Sequence, residues 1–425
     1  MKNLSERDKK HLWHPLTQHK TAAAPLGIVK AKGAVFWDEE GKEYIDGIAS
    51  WYTSMYGHGN EYIINAMTAQ MKQLDFVLFS GFTHEPAVQL SERLLPLLPN
   101  NQAKIFFNDN GSTAVEAGIK MALQYHHNQG EKRDTLIAFE DGFHGDTFGA
   151  MSASGLSSYN GPFTDFLLKV ERIPVPKGDN LKLVLSQLQH IIDKHDCAAF
   201  IYEPLVQGAA GMKFHSSIGL DTLLELCKKA GILCVADEIM TGFGKTGKNF
   251  ASENMEHKPD IMCLSKALTA GMFPLSITSC SQEVYDRFLS DEVSKGFFHA
   301  HTFSAHPIGC AAVLAGLDLL ESPEILERRQ YIKNSHEQFI AEVQYHPKVE
   351  NARSTGVILA IDLNIEMERY GNLRDKLYQF FMQRGVILRP LGNTIYVLPP
   401  FVITNAQLKK IYDTILEALE ALETF

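Results

Sequence analysis

The sequence lacks the features that mark nucleic-acid-binding and membrane proteins. It contains no run of five or more basic residues, and its 425 residues carry a formal net charge of -10. Such a composition does not favour nucleic acid or an anionic membrane as a partner. No stretch approaches the ~18 apolar residues that a membrane-spanning helix needs. The first residues, MKNLSERDKKHLWHP, include no apolar region of the kind that secretory signals carry.

Cysteine is scarce and scattered. The six cysteines form no CxxC pair and stand at positions 197, 227, 234, 263, 280 and 310. Isolated cysteines fit reduced core thiols better than disulfides or a zinc ribbon, and they predict a cytoplasmic protein. The sequence has no HExxH motif either, although His299, His301 and His306 lie close together. No metal centre is expected, because these histidines equally fit a loop that faces a polar ligand.

Short apolar runs alternate with helical patterns through the middle of the chain. Most of these runs lack polar alternation, which is typical of parallel strands that are covered on both faces. The predicted strands are KIFFND (104–109), TLIAFE (135–140), AAFIYEP (198–204), ILCVAD (232–237), IMCLSK (261–266) and LSITSC (275–280). Candidate helices at 113–128 and 219–230 lie between them. This alternation predicts a large α/β domain with a mainly parallel central sheet.

The two ends of the chain differ from the middle. Residues 28–46 are typical of a small β-meander with a turn at 38–41. The C-terminal part combines a long polar helix (322–345) with short strands near GVILAID (356–362) and TIYVLP (394–399). We therefore predict a smaller α+β domain assembled from both chain ends. The predicted bounds are 1–50 and 319–425 for the small domain and 51–318 for the large domain.

Asp237 and Lys266 each end an apolar run. If both runs are parallel strands, both side chains emerge at the carboxyl edge of the sheet, where open α/β sheets bind ligands. A lysine there can form a Schiff base with pyridoxal phosphate (PLP), and a carboxylate can keep the pyridine nitrogen protonated. The alternatives are a structural salt bridge or two unrelated strand ends.

A glycine and a serine stand between the predicted strand at 104–109 and the helix that follows. Thr113 and Glu116 match a capping box, which predicts that the helix starts there. The backbone N–H groups of Gly111 and Ser112 would then face an anion at the positive end of the helix. The commoner alternative is an ordinary helix cap. Asp237 and Lys266 are expected at the same edge of the sheet, and this favours a phosphate site at Gly111 and Ser112.

Two glycine motifs after Asp237 imitate nucleotide-binding loops. Gly242, Gly244 and Gly247 satisfy GxGxxG, but the first of them comes five positions after Asp237. The dinucleotide fingerprint opens a helix directly after its strand, so this match is not supported. The GKT at 244–246 resembles the end of a P-loop, yet Ile239 stands where the first glycine belongs.

Several segments together resemble the class III aminotransferases of PLP fold type I. These segments are GSTAVEAGIKMALQY (111–125), GFHGDTFGAMS (142–152), EPLVQGAAGM (203–212), VADEIMTGFGKTGKNFA (235–251) and CLSKALT (263–269). Others resemble the branch of that family that aminates 8-amino-7-oxononanoate with S-adenosyl-L-methionine in biotin biosynthesis. These are HLWHPLTQ (11–18), IASWY (48–52), HTFSAHPIGCAA (301–312) and LRPLGNTIYVLPP (388–400). The resemblance covers essentially the whole chain and implies a homodimer with shared active sites.

The resemblance implies a role for each matching residue. Lys266 would bind the cofactor covalently and later move a proton, Asp237 would pair with the pyridinium, and Arg389 would bind the substrate carboxylate. Phe143, which by itself fits core packing as well as ring stacking, falls at the stacking position. The implied cofactor contacts are Gly111, Ser112, Phe143, Asp237 and Lys266, with His301 and Thr302 reaching the phosphate of the neighbouring subunit. The implied substrate contacts are Leu16, Trp51, Tyr52, Phe143, Lys266, Ala300, Arg389 and Tyr396.

The sequence departs from the family pattern at five positions. The family usually has tyrosine at Leu16 and Phe143, glycine at Ala300, proline at His301 and arginine at Lys245. These changes leave the cofactor chemistry intact but bear on the amino donor. We expect S-adenosylmethionine, with lysine or another amine as the alternative.

Other functions compete with this interpretation. A class III aminotransferase acting on ω-amines is disfavoured by the WHP segment and by Trp51. An aminomutase on the same scaffold would need no external donor. A PLP-dependent transcription regulator would require a DNA-binding domain and a basic surface. A hydrolase with a metal bound by His299 and His301 would lose its activity with chelators.

Overall fold

A computed structural model describes residues 4–157, 160–368 and 371–424. Its strands are β1 (Ile28–Lys32), β2 (Val35–Asp38), β3 (Glu43–Asp46), β4 (Gln102–Asn108), β5 (Thr135–Phe139), β6 (Val170–Ile173), β7 (Cys197–Tyr202), β8 (Val206–Gln207), β9 (Lys213–Phe214), β10 (Leu233–Asp237), β11 (Ile261–Leu264), β12 (Ser276–Ser281), β13 (Val349–Thr355), β14 (Ile358–Leu363), β15 (Val386–Ile387) and β16 (Thr394–Val397).

The helical elements of the same ranges include one short turn, α2, whose dihedral angles are not those of an α-helix. They are α1 (Leu4–His11), α2 (Ala49–Tyr52), α3 (Glu61–Gln73), α4 (Glu85–Leu94), α5 (Gly111–Asn128), α6 (Phe148–Ala153), α7 (Leu181–Lys194), α8 (Ser217–Lys229), α9 (Gln282–Asp286), α10 (Pro307–Leu320), α11 (Pro323–Val343), α12 (Asn372–Gln383) and α13 (Asn405–Ala421). Short 3₁₀ turns are Leu95–Leu97, Gly161–Phe166, Gly178–Asn180, Ala251–Asn254, Lys266–Thr269, Val293–Lys295 and Leu422–Thr424. None of the helices in the described ranges combines the length and the apolar composition that crossing a bilayer requires.

The central sheet contains seven strands of the described chain in the order β4-β12-β11-β10-β7-β5-β6. Every residue of β5, β7, β10 and β11 is buried. Successive residues point to opposite faces: Leu233 and Val235 pack with α5, whereas Cys234 and Ala236 lie on the face that α8 covers. Helices thus cover both faces, which explains why these strands are continuous apolar runs. The predicted α/β fold with a mainly parallel sheet is confirmed.

β12 is the exception to the parallel arrangement. It pairs antiparallel with both of its neighbours, β11 and β4. The physical reason is the short connection, since residues 265–275 alone join β11 to β12. A parallel return needs a crossover of a dozen or more residues, usually a helix.

The two chain ends meet in a second layer of structure. The predicted meander is present as β1, β2 and β3, and β15 from the C-terminal part pairs in parallel with β3. A separate sheet has the order β13-β14-β16. Both ends therefore contribute to one sheet, as expected for a small domain built from the two termini. The exact domain bounds stay a prediction.

Candidate active site

Lys266 lies just beyond the carboxyl end of β11. The strand ends two residues earlier than the apolar run predicted, and Lys266 begins the turn Lys266–Thr269 with a φ of 51°. Its Nζ lies 5.0 Å from the centre of the Tyr52 ring. Burial lowers the pKa of Lys266, and the charges of Asp237 and Glu203 oppose this effect. A larger fraction of the amine is therefore neutral, which is the form that attacks a carbonyl.

Asp237 is the last residue of β10 and is 3% exposed. Its Oδ2 lies 2.7 Å from Nδ1 of His144, and its Oδ1 accepts the N–H of Ile239 at 3.1 Å. Burial opposes a charge on His144, but the hydrogen bond and the charge of Asp237 outweigh it and raise the pKa of the imidazole. The carboxylate is thus oriented by two donors. β10 and β11 run parallel, so Asp237 and Lys266 emerge at the same edge, as predicted.

Glu203 lies at this edge too, directly after β7, which pairs in parallel with β10. Its two carboxylate oxygens accept the N–H groups of Phe143 at 3.1 Å and Gly208 at 2.9 Å. Burial raises the pKa of Glu203 to about 7, His144 opposes the rise, and Asp237 adds to it. Glu203 therefore gains or loses its proton near neutral pH.

Helix α5 begins at Gly111, earlier than predicted. Oδ1 of its N-cap, Asn110, accepts the N–H of Thr113 at 3.1 Å, and Oγ1 of Thr113 accepts the N–H of Asn110 at 3.1 Å. The predicted capping box between Thr113 and Glu116 is therefore wrong. Asparagine is itself a strong N-cap, so the helix starts after it. Glu116 instead accepts the N–H of Gly149 at 2.6 Å, which ties α5 to α6.

Gly111 and Ser112 are thus the first two residues of an 18-residue helix, where N–H groups have no partner within the helix. A Cβ at Gly111 would lie 3.1 Å from Ile239, so a larger residue would be crowded there. Oγ of Ser112 accepts the N–H of Thr147 at 3.0 Å and lies 2.7 Å from its Oγ1. A glycine, a hydroxyl and the positive end of a long helix together fit a phosphate.

A wall of aromatic rings extends from Lys266 to Arg389. The rings of Tyr52 and Tyr396 lie 5.7 Å apart, and Tyr52 is the ring next to Nζ of Lys266. Cζ of Arg389 lies 5.0 Å from the centre of the Trp51 ring, which is 43% exposed. Among the described residues, no carboxylate forms a salt bridge with Arg389. The structure therefore brings five of the predicted residues together and leaves this guanidinium available to a ligand.

The wall depends on an unusual backbone. Ala49, Ser50, Trp51 and Tyr52 have φ values of 45°, 47°, 68° and 71°, and none of them is glycine. Left-handed geometry costs about 1–2 kcal/mol per L-residue, or roughly 4–8 kcal/mol for four. The surrounding structure must supply this free energy.

Four predicted residues stay apart from this pocket within the single chain. Leu16 is 54% exposed in the segment between α1 and β1. Ala300 and Thr302 are exposed as well, and Nδ1 of His301 lies 3.6 Å from Oδ2 of Asp109. Among the described residues, no hydrogen bond or ion pair joins any of the four to Lys266 or Asp237. A role for them in the site would require another subunit or a bound substrate.

Lys245 is fully buried, and its Nζ has no hydrogen-bond partner within the described residues. Burial lowers the pKa of Lys245 well below its usual value, and the nearby charge of Lys266 adds to this. Burial and the charge of Lys266 therefore both disfavour a proton on Lys245.

The donors at this edge fit PLP. Lys266 offers an amine for the aldehyde carbon, Asp237 offers a carboxylate for the ring nitrogen, and the first turn of α5 offers N–H groups for the phosphate. Phe143, 43% exposed beside Glu203, offers a ring face. No group of three metal-ligating side chains occurs in the described ranges, so the HxH at 299–301 lacks further ligands there.

Comparison with known proteins decides the family. The family model described as "Aminotransferase class-III" matches residues 17–419. The chain belongs to the class-III aminotransferases. It is therefore a PLP-dependent enzyme that transfers amino groups, and its fold is that of fold type I.

Individual relatives support a narrower likeness. The chain is 42% identical to an adenosylmethionine-8-amino-7-oxononanoate aminotransferase of Synechococcus elongatus, over 96% of this chain and 98% of that protein. A crystal structure of the enzyme of that name from Methanocaldococcus jannaschii has a TM-score of 0.93 at 30% identity, covering 98% of both chains. A PLP-bound amine transaminase from an uncultivated Pseudomonas species has a TM-score of 0.90 at 28% identity, covering 97% of this chain and 98% of that one.

His144 and Glu203 were missed as site residues. Glu203 had a visible signal, since it directly follows the apolar residues 198–202, just as Asp237 ends its own run. His144 had none beyond its place next to Phe143, because its contact with Asp237 spans 93 positions of the chain.

Proposed function

We propose that this chain aminates 8-amino-7-oxononanoate to 7,8-diaminononanoate in biotin biosynthesis, with S-adenosyl-L-methionine as the amino donor. The observation that carries the proposal is the half-buried Arg389 at the far end of the wall that starts at Lys266. It forms no salt bridge with any carboxylate that the structure describes. In a keto acid such as 8-amino-7-oxononanoate, the carboxylate lies far from the ketone. When the ketone is beside Lys266, the carboxylate therefore needs a cation at a distance, which Arg389 can supply. The full-length likeness to enzymes named for this reaction supports the same acceptor.

PLP, when bound, supplies an electron-accepting ring that carries the amino group from donor to acceptor. Nζ of Lys266 would anchor the cofactor and would take up and return the proton of the substrate carbon. The carboxylate of Asp237 would keep the ring nitrogen protonated, and His144 keeps that carboxylate in place. Gly111 and Ser112 bind the phosphate through the first turn of α5.

The substrate is oriented by the aromatic wall. Arg389 binds its carboxylate through two parallel hydrogen bonds, since a guanidinium fork matches that group. The rings of Trp51, Tyr52 and Tyr396 exclude water along the apolar chain between carboxylate and ketone.

The chain acts as a homodimer in which His301 and Thr302 of each subunit approach the phosphate site of the other. Exposed apolar side chains beside this segment support that arrangement, namely Phe298 and Phe303. Burial of such side chains against a second subunit would remove apolar surface from water. The buried, unpaired cysteines fit a cytoplasmic location.

The test is conversion of 8-amino-7-oxononanoate to the diamine by the purified, yellow enzyme, followed by mass spectrometry. S-adenosylmethionine, lysine and simple ω-amines are compared as donors at a constant acceptor concentration. Turnover with S-adenosylmethionine supports the full proposal, and turnover with lysine alone rejects that donor but keeps the acceptor. Turnover of ω-amines with other ketones, and none with the oxononanoate, overturns the proposal.

The Lys266→Ala variant provides the matched control. It should lose the yellow colour and the turnover, because no other described amine lies beside Tyr52 at the end of β11. Lys245→Arg, which restores the usual family residue, should keep both.

A further inference from the structure

We infer that Asp46 and His58 are positioning residues that hold the left-handed turn α2, so that Trp51 and Tyr52 face the substrate. The inference rests on the proposed function, because that proposal assigns the two rings to the substrate pocket. Neither Asp46 nor His58 belongs to the predicted site.

Asp46 connects the start of the turn to His58. It is the last residue of β3 and is fully buried. Its Oδ1 accepts the N–H of Ile48 at 3.1 Å, one residue before α2, and its Oδ2 lies 2.8 Å from Nε2 of His58. One carboxylate therefore holds both the entry to the turn and the imidazole.

His58 is itself fixed from two sides. Its backbone exchanges two hydrogen bonds with Gly33, at 2.9 and 2.8 Å, and its ring lies 4.4 Å from that of Phe36. Nε2 also lies 3.4 Å from Oγ of Ser50, the second residue of the turn. His58 thus connects the hairpin of β1 and β2 to the turn α2.

The turn also has hydrogen bonds of its own, and Ala49 and Tyr52 are buried in the core. The N–H of Tyr52 donates to the carbonyl of Ile48 at 2.9 Å, and Oγ1 of Thr53 donates to the carbonyl of Ser50 at 2.9 Å. These local bonds do not select the left-handed form, because right-handed turns make similar bonds and cost less. The Asp46–His58 pair supplies a restraint from outside the turn.

Loss of the Asp46–His58 pair would move the two rings that lie beside Lys266 and Arg389. Tyr52 lies 5.0 Å from Nζ of Lys266, and Trp51 lies 5.0 Å from Cζ of Arg389. Relaxation of φ at Trp51 and Tyr52 would swing both rings away from these cations. Lys266 and Asp237 lie at the ends of other strands, so cofactor binding would persist while substrate binding weakens.

The experiment compares His58→Leu with His58→Gln in the loaded enzyme. Leucine removes the N–H that faces Asp46, whereas the glutamine amide can still donate at a similar distance. We expect His58→Leu to raise KM for the oxononanoate about 10- to 100-fold with little change in kcat or in the visible spectrum. His58→Gln should recover most of the affinity. His346→Leu, which removes a surface partner of Glu420, is the control and should behave as wild type.

A second measurement does not depend on the substrate. The chain has three tryptophans, so Trp13→Phe and Trp37→Phe leave Trp51 as the reporter. In that background, His58→Leu should shift the Trp51 emission to the red and increase its quenching by acrylamide, and His58→Gln should reverse both. If wild type does not turn over the oxononanoate but Trp51 responds in this way, the proposed acceptor fails and the positioning role stands.

The inference is overturned if a folded His58→Leu enzyme keeps normal KM and unaltered Trp51 quenching. It is also overturned if cofactor binding and kcat fall together and glutamine restores neither, since the pair would then be purely structural. Should His58→Leu not fold, Asp46→Asn carries the same test, because it keeps the shape of the side chain while removing one acceptor from the pair.

Discussion

Nδ1 of His144 lies 2.7 Å from Oδ2 of Asp237, and the two side chains are only 0% and 4% exposed. Such a contact orients the carboxylate and shields it from water. Its interaction with a protonated ring nitrogen is stronger in this shielded environment than it would be in water. His144 comes from the loop after β5 and Asp237 from the end of β10, so two strands of the sheet cooperate in this one interaction.

The Asp237→Asn variant should fold and bind cofactor but lose two to three decades in rate. A neutral amide cannot hold the ring nitrogen protonated, and losing such a preorganised charge costs about 2–4 kcal/mol at the transition state. His144→Leu should cost about 1.5–3 kcal/mol, as for one hydrogen bond to a charged group. His144→Asn, which can replace the Nδ1 donor, is its control. Single-turnover absorbance measures both effects, and near-normal rates in Asp237→Asn would contradict the assignment.

Glu203 should make stability depend on pH. Its pKa rises from the usual 4.5 to about 7 in the folded protein, chiefly through burial. The folded state thus holds this proton more tightly than the unfolded state does. The resulting contribution to the free energy of unfolding is present at pH below 4.5 and is lost as the pH rises to about 7. Urea unfolding at several pH values should show wild type losing stability relative to Glu203→Gln over this interval. A constant difference between the two proteins would show that folding does not raise the pKa of Glu203.

Arg389→Ala should weaken the acceptor specifically. Removing one member of a shielded charge pair costs about 2–5 kcal/mol, which would appear in the acceptor half-reaction. A donor amine without a carboxylate should react almost normally, and the spectrum should not change. Arg384→Ala provides the matched control, because Arg384 pairs with Glu417 on the surface. Equal damage to both half-reactions, or none, would make Arg389 a structural residue.

Mixed dimers should reveal whether the active sites are shared. Thr302→Glu places a negative charge beside the proposed phosphate contact and should inactivate the enzyme by repulsion. Lys266→Ala is inactive for a different reason. If Thr302 acts across the interface, refolding the two variants together restores activity, since one site of each mixed dimer receives both intact residues. No recovery in a verified mixed dimer would place Thr302 in its own subunit's site or outside any site.

The sequence already contained most of the chemistry at the sheet edge. Asp237 and Lys266 could be found because each ends a buried apolar run, and parallel strands bring such ends together. The same signal exists at Glu203, so its omission was a failure to apply the rule rather than a lack of information. The start of α5 was misplaced because Asn110 and Thr113 are both good N-caps, and local preference does not choose between them.

The sequence by itself determined the family, the α/β alternation and the meeting of Asp237 and Lys266 at one edge of the sheet, because these depend on local patterns and strand ends. Only the tertiary structure decided the direction of β12, the contact between His144 and Asp237, and the left-handed turn at 49–52. Each of these is set by groups that are distant in the chain or by connection geometry. In the turn, local preference is overruled: four residues that favour right-handed geometry adopt the opposite hand beside the buried Asp46.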